Sequence, residues 1–312
     1  MAKENTEILL ESGTNEVEIM EFFLGEQRFG INVAKLKTVL QFDPALVTPL
    51  PVDMASFMGV YRVRGRTIPL IDLADNLGRP KLEENPRRIV LVTEFNNMLN
   101  CFLVDGVHRI RRVFWKDINP IPTFLSQYNA RLTGTVQIDG SEILLVDLEH
   151  IIAKIFPESA LDVTPIMAAA PQAKRGRGDV RILLAEDSSI IRALLTRTLS
   201  SAGYTQLTSF ANGKAALDAV VIAKQKAASE GRPITTFINL IISDIEMPEM
   251  DGLTFCRKVK ADLAITDVPF FIFSSLINEQ MILKCREVGA DGWITKPQIA
   301  TLVQLVDSRL LG

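Results

Sequence analysis

The chain has 312 residues, a length that suggests about two domains. Its 47% apolar and 23% charged residues exclude a disordered polyelectrolyte. Residues 1–156 carry 17 basic and 20 acidic side chains and residues 180–312 carry 14 of each, so neither half has the positive excess of a duplex nucleic-acid binder. Cys101, Cys256 and Cys285 are far apart, form no CxxC pair and sit among apolar neighbours. They read as small buried hydrophobes, not as a zinc site or a disulfide framework. No apolar run approaches the ~18 residues of a membrane span, and the glutamate-rich stretch before Met20 lacks a signal-peptide core. The expectation is a cytoplasmic chain without membrane insertion.

Along the first half, the pattern is that of short strands. Phe29, Ile31 and Val33 alternate with polar or small residues, as do Ile68 and Leu70, where Pro69 suggests an edge or a bulge. Arg62, Arg64 and Arg66 alternate and read as one face of a strand that ends at Arg64-Gly65. Ile89–Val92 and Cys101–Val104 are short apolar runs. Val136 and Ile138 lead through Asp139-Gly140 into Ile143–Val146, a strong hairpin signal. Arg109, Arg111 and Arg112 form a second basic group, open to acidic partners or simply a solvated face. His108 reads as a strand-surface residue and His150 as a helix-end residue. No Walker loop and no GxSxG occurs, so this half reads as an all-β binding module.

Residues 157–179, with three prolines, an alanine run and a small basic cluster, keep no sustained period and read as a linker. Beyond them, strands alternate with helices. Val180–Ala185, Leu207–Phe210, Phe237–Ile242, Phe270–Phe273 and Trp293-Ile294 are the strand candidates. Helical spacing covers Ile191 to Leu199, a helix capped by Asn212, one capped by Asn278 and ending at Gly289, and 298–310. The stretch Ile222–Thr236 extends the second helix and ends in a loop near Gly231–Pro233, either as a surface insertion or as a docking element for the first half. Such alternation implies a parallel sheet covered by helices, whose ligands bind beyond the carboxyl ends of the strands. Glu186, Asp187, Asp244, Ser274, Ser275 and Lys296 all fall there. Three crowded carboxylates repel one another and call for a cation. Hard oxygen ligands favour Mg2+, and a lysine and a hydroxyl beside it make a site that can receive a phosphoryl group.

The segments ILLAEDSSIIR, SDIEMPEMDG, FIFSS and ITKP, in this order and element context, resemble the receiver domain of two-component response regulators. That resemblance implies a flavodoxin-like, doubly wound, five-stranded parallel sheet over 180–312. It implies Asp244 as phosphoacceptor, and Mg2+ held by Glu186, Asp187, Asp244 and the backbone carbonyl of Glu246. It implies Ser274 and Lys296 on the phosphoryl group, a cis peptide before Pro297, and Ser274 with Trp293 as the switch pair, Trp293 standing where the family usually has tyrosine or phenylalanine. The segments FLGEQRFGINVAKLKTV, FMGVYRVRGRTIPLIDLADNLG, CFLVDGVHRI and LTGTVQIDGSEILLVDLEHII resemble the CheW family of chemotaxis adaptors. They imply two packed SH3-like β-barrels over 17–156, with Arg62, Arg64 and Gly65 on a partner-binding surface.

A CheW-like half followed by a receiver resembles the CheV family. The resemblance implies a multidomain coupling protein without an enzyme's turnover of substrate, apart from assisting its own phosphotransfer and dephosphorylation. Its partners would be the chemotaxis histidine kinase and the chemoreceptors, at receptor arrays, with no nucleic acid. A phosphate sink that drains the kinase remains the alternative at this point. A transcriptional regulator is disfavoured, since nothing after 297 is long enough for a helix-turn-helix domain.

Overall fold

The computed structural model describes residues 13–52, 56–80, 87–121, 131–156 and 176–311. Most of the 157–179 segment therefore lies outside the described residues. The first half holds β1 (Glu16–Leu24), β2 (Gln27–Asn32), β3 (Leu36–Gln41), β4 (Val47–Thr48), β5 (Phe57–Val63), β6 (Arg66–Asp72), α1 (Leu73–Asn76), β7 (Ile89–Phe95), β8 (Met98–Val104), β9 (Gly106–Phe114), β10 (Ile118–Pro120), β11 (Leu132–Ile138), β12 (Ser141–Val146) and α2 (Leu148–Ile155). The strands form two six-stranded sheets, ordered β10-β11-β12-β2-β1-β9 and β3-β7-β8-β6-β5-β4.

Period-two alternation divides each strand between two cores. Ile68, Leu70, Val90, Val92, Cys101 and Leu103 fill a core private to the second sheet. The alternate residues Ile71, Leu91, Phe102 and Val104 meet Phe22, Leu24, Phe29 and Ile31 in a core shared by the two sheets and closed by Leu148, Ile151 and Ile152 of α2. Val17, Ile19, Ile143 and Leu145 make the private core of the first sheet. Gly30 lies on that face: a Cβ there would stand 2.5 Å from Ile19, so only glycine lets β1 and β2 close over it.

The Asp139-Gly140 hairpin forms as expected, pairing Ile138 with Ser141, and both turn residues take positive φ (51° and 73°) as a two-residue primed turn requires. Arg64-Gly65 does the same between β5 and β6 (φ 48° and 80°). This corrects the reading of Arg62, Arg64 and Arg66 as one strand face. Arg62 pairs with Thr67 and Val63 with Arg66, so the arginines are divided between two strands and their turn. The second basic group is neutralised from within. Arg109 and Arg111 bond Asp139, Arg112 bonds Glu18 at 3.2 Å, and Arg111 also bonds Glu21.

In the second half β13 (Arg181–Ala185), α3 (Ser189–Ser201), β14 (Gln206–Phe210), α4 (Gly213–Glu230), β15 (Leu240–Ser243), α5 (Gly252–Arg257), β16 (Phe270–Ser274), α6 (Glu279–Glu287), β17 (Gly292–Thr295) and α7 (Ile299–Leu310) make a five-stranded parallel sheet, β14-β13-β15-β16-β17, helices on both faces. Leu183, Ile241, Phe270 and Ile272 face α4, α5 and α6; Leu184, Ile242, Phe271 and Phe273 face α3 and α7. Continuous apolar runs follow from this double burial.

The third strand begins at Leu240, later than the apolar run suggests, because 234–236 form a 3-10 turn and Phe237 lies under the cations of Lys226 and Arg232. The long 222–236 stretch does extend α4, which Gly231 terminates at φ 62°; its Lys224 bonds Leu263 O within the same half. Arg177, placed in the linker on sequence, is buried and ion-paired to Asp307, which also accepts the Tyr204 hydroxyl at 2.7 Å. All three cysteines are buried and free, and burial pushes the Cys101 and Cys285 thiols up to about 12.

Glu21 is fully buried in β1 among Arg28 (3.2 Å), His108 (3.0 Å) and Arg111 (3.2 Å). Burial raises its carboxyl, but the hydrogen bonds of His108 and Arg111 and the charges of His108 and Arg28 outweigh it and hold the group below its usual 4.5. A depressed carboxyl stabilises the fold above its unfolded value and loses that contribution as pH falls through the folded one. The wild-type chain should therefore lose stability below about pH 4.5 more steeply than Glu21→Gln, as read from denaturant melts across pH 6 to 3.

Candidate functional site

The carboxyl ends of β13, β15, β16 and β17 bring the predicted pocket together. Ala185 pairs with Ser243, Ser243 with Ile272 and Ser274 with Thr295, so the residues that follow converge on one edge. Carboxylate oxygens of Glu186, Asp187 and Asp244 lie within 4.8 Å of one another. Lys296 Nζ stands 2.8 Å from Asp244 Oδ2 and 3.2 Å from Glu186 Oε2. Burial alone would lower the Lys296 ammonium, but the charges of Asp244 and Glu186 hold it well above its usual value. Glu186, fully buried, is raised well above the carboxylate range by desolvation, against the pull of Lys296 and with the push of Asp244. Asp187 keeps solvent access, yet its place in the crevice and the Asp244 charge push it up to about 7.

Local chemistry fixes these groups. Ser188 caps α3 by accepting from Ile191 N, and Arg192 donates to the carbonyls of Glu186 (2.6 Å) and Asp187 (3.1 Å). Asp244 N–H donates to Ala185 O at 2.9 Å, while Asp244 Oδ1 accepts from Ile245 N at 2.6 Å. Ser274 is fully buried at the end of β16, and its hydroxyl accepts from Leu276 N. The cis bond expected before Pro297 falls on a residue that the structure does not describe in full. The residue belongs to a 3-10 turn, Lys296–Gln298, where a proline's missing N–H is tolerated. Trp293 lies on β17, half-buried, with the Arg286 guanidinium 5.3 Å from its ring centroid. Arg62, Arg64 and Gly65 are exposed on the first half, at the β5–β6 turn.

The test of the pocket for a cation is Glu186 Oε2. This oxygen is buried in a three-carboxylate cluster and accepts no hydrogen bond, with the single Lys296 ammonium 3.2 Å away and shared with Asp244. A hard divalent ion suits such an oxygen set.

Several residues at the pocket escaped the sequence reading. Gly252 is one: a Cβ there would stand 1.9 Å from Asp244 O. The others come from the first half. Asn15 donates through its N–H to Thr254 Oγ1 (2.8 Å), donates through Nδ2 to Glu249 O (2.9 Å) and accepts from Asp251 N (3.1 Å). Asn32 Nδ2 donates to Glu246 Oε1. Lys35 bridges Glu149 and Glu246, and Glu149 accepts the Ser275 hydroxyl. The Glu246 side chain is thus turned to the first half, whatever its carbonyl does. A cavity of about 50 Å³ remains between the halves, lined by Ile31, Lys35, Trp115, Asp187 and Glu246 among others. The signal for Asn15, Lys35 and Glu149 was absent from the chain because their partners lie more than a hundred residues away.

Two units are thereby defined: a pair of packed β-sheets and a doubly wound α/β domain with an acidic pocket at its sheet edge. The CheW-like domain family matches residues 18–156 and the response regulator receiver domain family matches residues 182–307. Chemotaxis protein CheV3 of Helicobacter pylori is 31% identical over 90% of this chain and 91% of its own length. CheV2 of the same organism is 24% identical over 95% of each, and a CheW of Rhizobium meliloti is 30% identical over 43% of this chain and 86% of its own length. The chain belongs to the CheV family of chemotaxis proteins.

Because Gly252 packs on the carbonyl of Asp244, Gly252→Ala should destabilise the chain by about 1–3 kcal/mol. Gly178→Ala, whose Cβ would meet only Thr205 Oγ1 at 3.9 Å, should stay within about 0.5 kcal/mol of wild type by calorimetry.

Proposed function

We propose that this chain is a chemotaxis coupling adaptor, joining chemoreceptors to the histidine kinase at receptor arrays, and that phosphorylation of Asp244 regulates it. The observation that carries the reading is Lys296 held 2.8 Å from Asp244 inside a three-carboxylate cluster, at the sheet edge where the coupling half also docks. Residues 17–156 are the coupling unit, 157–179 contain the connection and 180–312 are the receiver, with Arg177 pinned to its last helix. Exposed Arg62, Arg64 and Gly65 supply a partner-binding tip on the coupling half.

In the transfer, an Asp244 carboxylate oxygen attacks the phosphorus of the kinase's phosphohistidine. The new O–P bond forms as the N–P bond breaks, and the imidazole nitrogen keeps the electron pair and takes a proton. Lys296 neutralises phosphoryl oxygens as they arrive, and Ser274 turns its hydroxyl to one of them. Glu186, Asp187, Asp244 and the Glu246 backbone carbonyl would hold Mg2+, which supplies further charge neutralisation for the transferring group. Water attack on the same acyl phosphate, in the same pocket, returns the free carboxylate. The chain turns over no other substrate. Ser274 and Trp293 pass the change on, the Trp293 indole lying under the Arg286 guanidinium.

A phosphate sink needs a receiver alone, and its coupling half would have no reason to grip the pocket loops. Here Glu149 and Lys35 reach them directly, so the sink is not favoured.

Labelled phosphate transferred from purified kinase should appear on the wild-type chain with Mg2+, fall to background in Asp244→Asn, and fall by at least about tenfold in Lys296→Ala, the loss of one charge-stabilising group. Label that survives Asp244→Asn overturns the assignment. In receptor–kinase assays Asp244→Asn should alter kinase coupling itself, whereas a sink would leave coupling intact and send more phosphate to the motility regulator.

A further inference from the structure

Of the loops that build the pocket, the coupling half holds two, the one after β15 and the one after β16. Lys35, buried in the crevice, places Nζ 2.9 Å from Glu149 Oε1 and 2.9 Å from Glu246 Oε2. Glu246, two residues after Asp244, also accepts from Asn32 Nδ2 at 3.0 Å. Glu149 projects from the first turn of α2 and accepts the hydroxyl of Ser275 at 2.6 Å, one residue after Ser274. Asn96 N–H donates to Ser275 O at 3.0 Å. The network alternates sign: receiver carboxylate, coupling-half ammonium, coupling-half carboxylate, receiver hydroxyl. Burial raises the Glu149 carboxyl, but the charge of Lys35 first, then that of Lys296 and the Ser275 hydrogen bond, hold it down at about 2.

We propose that Lys35 and Glu149 form a charge latch that holds the coupling half across the phosphoacceptor pocket, and that a phosphoryl group on Asp244 releases it. The latch rests on Asp244 being the phosphoacceptor. A phosphoryl group carries about two negative charges in place of the single carboxylate charge of Asp244, so the pocket gains about one negative charge beside Glu246 and Glu149. It draws the Ser274 hydroxyl to itself, which pulls on the turn that carries Ser275, while its added charge competes with Glu246 and Glu149 for Lys35. Both anchors of the latch weaken together. Contacts that differ between the two states couple them, and the coupling is reciprocal: whatever opens the latch favours the phosphorylated form by the same factor.

The test uses the full-length chain with Mg2+ and beryllofluoride, a stable mimic of the acyl phosphate. Small-angle scattering should show wild type compact without beryllofluoride and expanded with it. Lys35→Ala and Glu149→Gln should be expanded without it, and should bind it on the order of tenfold more tightly in a calorimetric titration. Glu149→Gln keeps the side-chain shape, so it decides the matter if Lys35→Ala fails to fold by circular dichroism. The latch is overturned if wild type binds beryllofluoride, Asp244→Asn does not, and the dimensions and affinities of the latch variants match wild type. If wild type binds none, or Asp244→Asn binds as well, the phosphoacceptor reading itself falls and the latch with it.

Discussion

Three carboxylates at one sheet edge, with a lysine among them, set the terms for the rest of this molecule. Glu186, Asp187 and Asp244 approach within 4.8 Å, a placement that isolated anions in a low-dielectric crevice would not tolerate. Lys296 offsets part of the charge, and the oxygen set that remains is of the kind that suits a hard divalent cation. The flanking elements serve this placement. Arg192 ties the 186–187 turn, Ile245 N–H orients Asp244, and Gly252 lets the following loop lie flat on the Asp244 carbonyl.

The same electrostatic economy extends across the domain boundary. The coupling half contributes Lys35 and Glu149, and the two receiver loops answer with Glu246 and Ser275. An adaptor tethered to a receiver by a flexible connection would have to communicate through diffusion. An adaptor that shares a charge network with the pocket senses the charge of the pocket directly. Asn15 adds a charge-neutral anchor on the loop from Glu249 to Thr254, beside the Glu249 N–H to Trp115 O bond.

By contrast, the basic residues of β9 are spent inside the coupling half. Arg109 and Arg111 meet Asp139, and Arg111 joins Arg28 and His108 around the buried Glu21. A buried carboxylate needs such a set of donors. The β5–β6 turn is different, since Arg62 and Arg64 stay exposed there, on a rigid hairpin whose φ values are fixed by Arg64 and Gly65.

The order of strands and helices in the second half, the alternation of the first, the Asp139-Gly140 turn and the acidic pocket were all legible in the sequence. Each is written in short-range periodicity or in a motif at the end of a strand, where backbone geometry alone dictates position. The start of β15 was misplaced because Phe237 is apolar yet satisfied by the cations of Lys226 and Arg232, a pairing that periodicity does not encode. The arginines at 62, 64 and 66 were misassigned to one face because a two-residue turn breaks the alternation midway. Tertiary structure alone decided the roles of Asn15, Lys35 and Glu149. Their partners are distant in the chain, and an ion pair is specified by where two folded surfaces meet, not by the residues on either side of it.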